Sequence, residues 1–167
     1  EKLSLKGCRS LQKLPSCLGM LTSLEKLYLD ETALQNLPDS IGDLKNLQRL
    51  HLVRCTSLSK IPDAINKLTS LKILFINGSG VRELALKPGS LPCLTDFSAG
   101  GCKLLEQVTC SVGGLNSLLK LQLDWTPIKT LPKEIGGLHF IRKLELRNCE
   151  SLKTLPGSIG DMDTLHS

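Results

Sequence analysis

Four cysteines set a ruler along this chain, because Cys8, Cys55, Cys102 and Cys149 each stand 47 residues from the next. Each comes three residues after an inward-pattern position, Leu5, Leu52, Ala99 or Leu146. Midway between them the same frame returns with a hydroxyl residue in the cysteine's place, at Thr32, Ser79 and Thr126. The true unit is therefore half as long. Along Leu24, Leu47, Leu71, Leu94, Leu118, Ile141 and Leu165 the spacing alternates between 23 and 24 residues. The extra residue falls just after the cysteine, as Cys55-x-x-Leu58 shows against Thr32-x-Leu34. A period of this length constrains the fold more than any composition does, since one unit cannot bury its own apolar face and must stack on its neighbours.

Within the unit, the pairs Leu27 and Leu29, Leu50 and Leu52, Leu121 and Leu123, and Leu144 and Leu146 are apolar at period two. That spacing puts both members of a pair on one face of a strand and does not fit a helix. After each strand comes a segment such as "LPDSIGDL", "IPDAINKL", "LPKEIGGL" or "LPGSIGDM", where proline and glycine discourage a long helix. The frame L-x-x-L-x-L-x-x-(C/T)-x-L resembles the leucine-rich-repeat pattern. The expected fold is an α/β-type repeat solenoid: a curved array with about seven short parallel strands on the concave face and turns or 3-10 pieces on the convex face. Residues 1–167 read as one array. The first strand begins almost at once and neither end carries a polar terminal repeat, so the chain reads as an uncapped piece of a longer protein. The strand-end cysteine or threonine is expected to point inward beneath the bend, where backbone groups need partners and a small side chain with a donor suits the space.

The chain holds seven cysteines, an odd number. Ladder cysteines two units apart are separated by roughly 10 Å at a strand spacing of about 4.8 Å, too far for a disulfide. Reduced thiols and a cytoplasmic setting, with the nucleus also open, are expected, with the ladder cysteines buried. The sequon Asn77-Gly78-Ser79 places its serine at the inward position and carries little weight. Basic residues exceed acidic ones by five and the charges are interspersed. No basic run alternates with aromatics, which argues against nucleic acid, and no segment reads as a signal peptide or membrane span.

Catalytic chemistry finds no foothold. "GSGVRE" at Gly78 lacks the third glycine of a dinucleotide fingerprint, and no Walker-type phosphate loop occurs. No C-x-x-C is present and the only histidines are His51, His139 and His166, so neither a metal nor a cofactor is expected. His51 and Cys55 are near in sequence, but strand geometry sends the imidazole outward and the thiol under the bend, which leaves no thiolate–imidazole pair. The chain is expected not to be an enzyme.

Binding is better supported. Positions between the inward leucines project from the concave sheet, and they give Lys26, Tyr28 and Asp30, then Arg49, His51, Val53 and Arg54, then Ile73, Phe75 and Asn77. Later units add Gln122, Trp125 and Arg147. The chain has five Phe, Tyr or Trp residues in all, and three of them, Tyr28, Phe75 and Trp125, fall on this small set of places. Exposed aromatics beside arginine are common anchors of protein interfaces. Tyr28, His51 and Phe75 share one place on consecutive strands and should form a ladder flanked by Val53 and Ile73. Two units, "LALKPGSLP" and "VTCSVGGL", carry Ala85 and Thr109 where the others have proline, so a change of curvature is expected there if it is more than repeat drift.

The carriers "LVRCTSLSKIPDAI", "LELRNCESLKTLPGSI", "LYLDETALQNLPDSIGDL" and "LQLDWTPIKTLPKEIGGL" resemble the leucine-rich-repeat region of plant intracellular disease-resistance receptors of the TIR nucleotide-binding type. The resemblance implies a part that recognises pathogen effectors and restrains the nucleotide-binding module, with protein as the partner and neither nucleic acid nor membrane. An intracellular scaffold or adaptor for signalling proteins is the alternative, though such repeats usually lack the cysteine and threonine alternation. A receptor-kinase ectodomain would carry L-x-G-x-I-P turns, several sequons and paired cap cysteines, which are absent.

Overall fold

Alternating apolar and polar residues produce short extended segments, and the prolines that follow keep them short. The computed structural model describes residues 1–84, 86–87, 89–108 and 115–165. Among the described residues the strands are, in chain order, β1 (Lys2–Ser4), β2 (Lys26–Tyr28), β3 (Arg49–His51), β4 (Ile73–Phe75), β5 (Glu83–Leu84), β6 (Asp96–Ser98), β7 (Gln107–Val108), β8 (Lys120–Gln122) and β9 (Lys143–Glu145). Seven of them form one parallel sheet in the order β1-β2-β3-β4-β6-β8-β9. The register joins Leu3, Leu27, Leu50, Leu74, Phe97, Leu121 and Leu144 in a single row. The five interior members of that row are buried and the two end members only partly so. At β6 the usual leucine pair is replaced by Phe97 and Ala99, both buried, so one large and one small side chain fill the space of two leucines.

The ladder continues beyond the strands. The amides of Leu29, Leu52, Ile76, Ala99 and Leu123 donate to carbonyls of the following unit at 2.7–2.9 Å. Parallel pairing thus satisfies the backbone lengthwise, one unit by the next.

Across from the sheet, five-residue 3-10 turns run over Ser16–Met20, Asp39–Asp43, Asp63–Lys67, Lys133–Gly137 and Gly157–Asp161. Each follows a proline whose fixed φ starts the turn and whose carbonyl accepts its first hydrogen bond, as in Ile41 N–H to Pro38 O at 3.0 Å. These turns stack closely. A Cβ on Gly42 would stand 2.7 Å from the Ala64 carbonyl oxygen of the next turn, so glycine is needed there for the approach rather than for its φ. Among the described residues no helix is long and apolar enough to cross a membrane.

From Thr32 to Cys149 the cysteine and hydroxyl residues point inward beneath the bend as expected, and there they also meet in pairs, which gives the alternation a physical reason. Thr32 Oγ1 and Cys55 Sγ both donate to the Leu29 carbonyl, at 2.8 and 3.1 Å, and lie 3.4 Å from each other. Thr126 and Cys149 share the Leu123 carbonyl in the same way, at 2.6 and 3.2 Å. Cys102 donates to the Ile76 carbonyl at 3.1 Å and stands 3.4 Å from Ser79 Oγ. Every one of these pairs spans the short 23-residue step, hydroxyl first and thiol second. In the two threonine pairs, two donors, one from each unit, close over one strand-end acceptor. Burial pushes the Cys55 and Cys102 thiols up from their ordinary pKa, against a smaller lowering by the Thr32 and Ser79 hydrogen bonds, and so keeps them protonated and able to donate.

Cys8 departs from expectation. It is exposed, whereas Cys55, Cys102 and Cys149 are buried. The ladder thiol reaches back to the preceding unit, and Cys8 lies on the outermost unit of the sheet, where among the described residues β1 has a neighbour, β2, on one side only. A further difference is the two-stranded parallel pair β5 with β7, which the sequence reading does not anticipate. It forms where the sequence carries Ala85 and Thr109 after the strand in place of proline, a residue that restricts its predecessor and removes a ladder donor. Ala85 and Thr109 themselves, with Cys110 and His166, lie outside the described residues.

Brief alkylation of the folded protein, read by peptide mass spectrometry, should label Cys8, Cys17 and Cys93 and spare Cys55, Cys102 and Cys149 until the chain unfolds. Rapid native labelling of Cys55 would contradict the shared-carbonyl arrangement.

Candidate protein-binding surface

Side chains at the first and third place of each strand point away from the leucine row and make up the concave face. Register pairs Tyr28 with His51 and His51 with Phe75. Their rings touch: the Tyr28 and His51 centroids are 4.7 Å apart with planes at 84°, and those of His51 and Phe75 are 4.9 Å apart at 39°. Lys2 Nζ lies over the Tyr28 ring at 5.0 Å. All three rings are half-buried, as are Val53 and Ile73 beside them, while Arg49 and Arg54 are exposed. Burial lowers the His51 pKa; the charges of Arg49 and Lys6 lower it further, against an opposing pull from Asp30. The ladder therefore holds a neutral imidazole between its two other rings at neutral pH.

Beyond Phe75 the face becomes a hydrogen-bonded chain. Asn77 Nδ2 donates to Ser98 Oγ at 2.6 Å, Ser98 Oγ to Gln122 Oε1 at 2.9 Å, and Gln122 Nε2 to Asp124 Oδ2 at 3.0 Å. Asn77 and Gln122 are thus fixed by neighbours in the adjoining units.

The acids are less free than the sequence reading expects. Asp30, expected to project, is only 7% exposed, and its Oδ1 accepts the Val53 amide at 3.0 Å. Asp124 does the same for the Arg147 amide at 2.6 Å. Both cap a backbone donor of the next unit, and this structural use takes them out of the solvent-facing set. Glu145 is 8% exposed and faces Lys143 Nζ at 3.0 Å, Lys120 Nζ at 3.5 Å and Arg147 at 3.9 Å. The Lys143 hydrogen bond, followed by the charges of Lys120 and Lys143, outweighs burial and holds its carboxyl below the usual range. Glu31 is held low chiefly by its hydrogen bond with Arg9, with Arg54 at 3.9 Å. Lys26 joins none of the ion pairs among the described residues.

One feature of the face was missed in the sequence. Two residues after each inward strand-end position the backbone turns left-handed: Gly7, Gly78 and Gly101 do so as glycines, and Glu31, Arg54, Trp125 and Asn148 with φ between 54° and 59°. The seven occupy one frame position, so the glycines are its sequence signal. A non-glycine residue there costs roughly 1–2 kcal/mol. Trp125 accepts that cost while 53% exposed, with Lys103 Nζ 5.4 Å from its ring centroid. Among the described residues no group of three or more His, Cys, Asp or Glu comes together as a metal site.

A family profile described as a leucine-rich repeat region matches residues 2–85. Among solved structures, a leucine-rich-repeat protein of Leptospira interrogans is 31% identical over 93% of this chain and 39% of its own, with a TM-score of 0.85. The leucine-rich-repeat domain of the type III effector XopL is 27% identical over 99% of this chain and 66% of its own, TM-score 0.69. The plant peptide hormone receptor RGFR1, in complex with RGF2, is 24% identical over 99% of this chain, TM-score 0.74, and shows likeness of fold alone. This chain spans 39% of the Leptospira protein and 31% of the plant receptor. No curated protein sequence matches it significantly.

Two outcomes follow from this geometry. The depressed His51 pKa means that the unfolded chain takes up a proton first as pH falls, so stability should drop as pH falls below about 6.5; His51→Gln should flatten that portion of a denaturation-versus-pH curve. Trp125→Gly should be more stable than Trp125→Ala, because only glycine relieves the left-handed strain. The reverse order in thermal melts would show the backbone there to be right-handed.

Proposed function

Because the chain belongs to the leucine-rich-repeat family, whose fold is suited to protein–protein recognition, we propose that it is the recognition segment of a plant intracellular disease-resistance receptor, sensing pathogen effectors, restraining the nucleotide-binding module, or both. The observation that carries the recognition half is the Tyr28–His51–Phe75 ladder. Its rings touch one another on a face that the leucine core does not use, and they remain half-exposed. Aromatic side chains held this way lose little conformational freedom on binding and can act as anchors. The strict alternation of hydroxyl and thiol, in contact beneath the bend, supports the receptor half, since it is the feature that distinguishes this array from adaptor-type repeats of similar length. Protonated, donating thiols at Cys55 and Cys102 also suit a reducing, cytoplasmic or nuclear setting.

The role is recognition rather than catalysis, and the shared surface serves a scaffold as readily as a receptor. The two differ in what is bound: a receptor's array should associate with a nucleotide-binding module of its own chain, and a scaffold's should not.

In the full-length protein, the double substitution Tyr28→Ala, Phe75→Ala should weaken partner binding by more than about thirtyfold, since truncating a hot-spot aromatic costs about 2 kcal/mol or more. Lys60→Ala, at an exposed position nine residues past the end of β3, should leave binding unaltered. Calorimetry or co-purification with the nucleotide-binding module reads the effect, and a thermal midpoint near wild type shows that the array is intact. Unchanged binding and unchanged signalling output would reduce the ladder to a surface covering.

A further inference from the structure

Lys2, Lys26 and Arg49 hold the same place on β1, β2 and β3 and are paired in register, Lys2 with Lys26 and Lys26 with Arg49. Adjacent strands lie about 4.8 Å apart, so three cations stand in file along the sheet. Like charges directly opposite one another on paired strands are destabilising. The Tyr28 ring face under Lys2 Nζ, at 5.0 Å, offsets this in part at one end of the row. Among the described residues no carboxylate forms an ion pair with any of the three. The acids nearest in the face are committed elsewhere, Asp30 to the Val53 amide and Glu31 to Arg9 and Arg54.

The far half of the same face is built differently. Lys120 and Lys143 occupy the corresponding place on β8 and β9, and Glu145 forms an ion pair with each, at 3.5 and 3.0 Å. Asp96 stands opposite Lys120 on β6. Among the described residues the cations of this row that lack an ion-pair partner are therefore those of the first three units. There the row runs alongside the aromatic ladder, two residues along each strand, and Ile73 ends the row beside Phe75.

From this juxtaposition we infer that the first half of the concave face binds an acidic polypeptide segment, its carboxylates set against the Lys2–Lys26–Arg49 row and an apolar side chain of the segment resting on the Tyr28–His51–Phe75 rings. The inference rests on the reading of this face as a protein-binding surface and names the chemistry of the partner. A polypeptide fits better than a nucleic acid. Ring centroids 4.7 and 4.9 Å apart leave no room for a base to enter between them, and single-stranded nucleic acid is held by bases stacked on open aromatic faces. The repulsion within the row also gives the surface a functional signature. The free protein carries a cost that an acidic partner removes, so a substitution that relieves the row should stabilise the fold while harming binding.

The test measures fluorescence anisotropy of rhodamine-labelled probes with the full-length protein: a peptide alternating glutamate pairs with phenylalanine, the same peptide with lysine for glutamate, and an oligouridine of equal charge. The glutamate peptide should bind best and should weaken as salt is raised. Lys26→Glu with Arg49→Glu should weaken it by roughly tenfold or more, whereas Lys60→Glu with Lys153→Glu, an equal change in net charge away from the row, should change it little. Lys26→Glu alone should raise the thermal midpoint, because it sets a carboxylate between Lys2 and Arg49. Several results overturn the inference. If the lysine peptide binds equally well and is lost on Tyr28→Ala, Phe75→Ala, the docking surface stands but its partner is not acidic. Oligouridine bound more tightly than either peptide, and released by the charge reversals, assigns the row to phosphates of a nucleic acid. Failure of the glutamate peptide to bind at millimolar concentration, or indifference of every probe to both sets of substitutions, removes the acidic partner and the docking surface together.

Discussion

The lengthwise backbone ladder is the constraint on which the rest of this structure depends. A three-residue strand with one or two inward leucines cannot persist alone, because its amides and carbonyls would be unpaired and its apolar face half wet. Each unit instead gives its amides to carbonyls of the next, at Leu29, Leu52, Ile76, Ala99 and Leu123. The leucine row then closes into one continuous core. Where the ladder must bend away from the sheet, a strand-end carbonyl is left to be satisfied, and the hydroxyl of one unit meets the thiol of the next over it. The chemical alternation along the sequence is the record of that pairing.

Because the ladder and the leucine row provide the cohesion, the outer face of the sheet is released for other uses. It is not wholly free. Asp30 and Asp124 cap amides that the bend leaves open, and Asn77, Ser98, Gln122 and Asp124 tie units four to seven together. What remains uncommitted is the aromatic ladder of the first units, the cations beside it and the exposed ring of Trp125. These are the features that cost the array something, in half-exposed apolar surface, in repulsion between neighbours, or in left-handed backbone. Costs of that kind concentrate where a partner can offset them.

Most of the fold was legible because a repeat writes its geometry many times. The period fixed the number of stacked units, and apolar alternation fixed which residues face the core. Register followed from the constant spacing, so the contacts of Tyr28, His51 and Phe75 could be anticipated from sequence position alone. The burial of Asp30 could not, because aspartate on a strand looks the same whether it meets water or a neighbour's amide. The left-handed position was readable in principle from Gly7, Gly78 and Gly101, but Trp125 and Arg54 at the same place conceal it, being residues that ordinarily avoid such backbone. Exposure of Cys8 follows from a long-range fact, the identity of the unit its thiol must reach, which no local pattern contains. The β5 and β7 pairing depends on the loss of proline in two successive units at once, and either loss alone looks like drift.

The central claim is that stability resides in the ladder, shared along the array, and not in the side chains of the concave face. Native-state hydrogen exchange measures this directly. The amides of Leu52, Ile76 and Ala99 should be the most protected in the chain and should exchange with a common opening free energy, well above that of amides in the turns that follow the 3-10 segments, such as Lys45 and Thr69. Protection of the three ladder amides at or below the level of those turns, or three unrelated opening energies, would contradict the account.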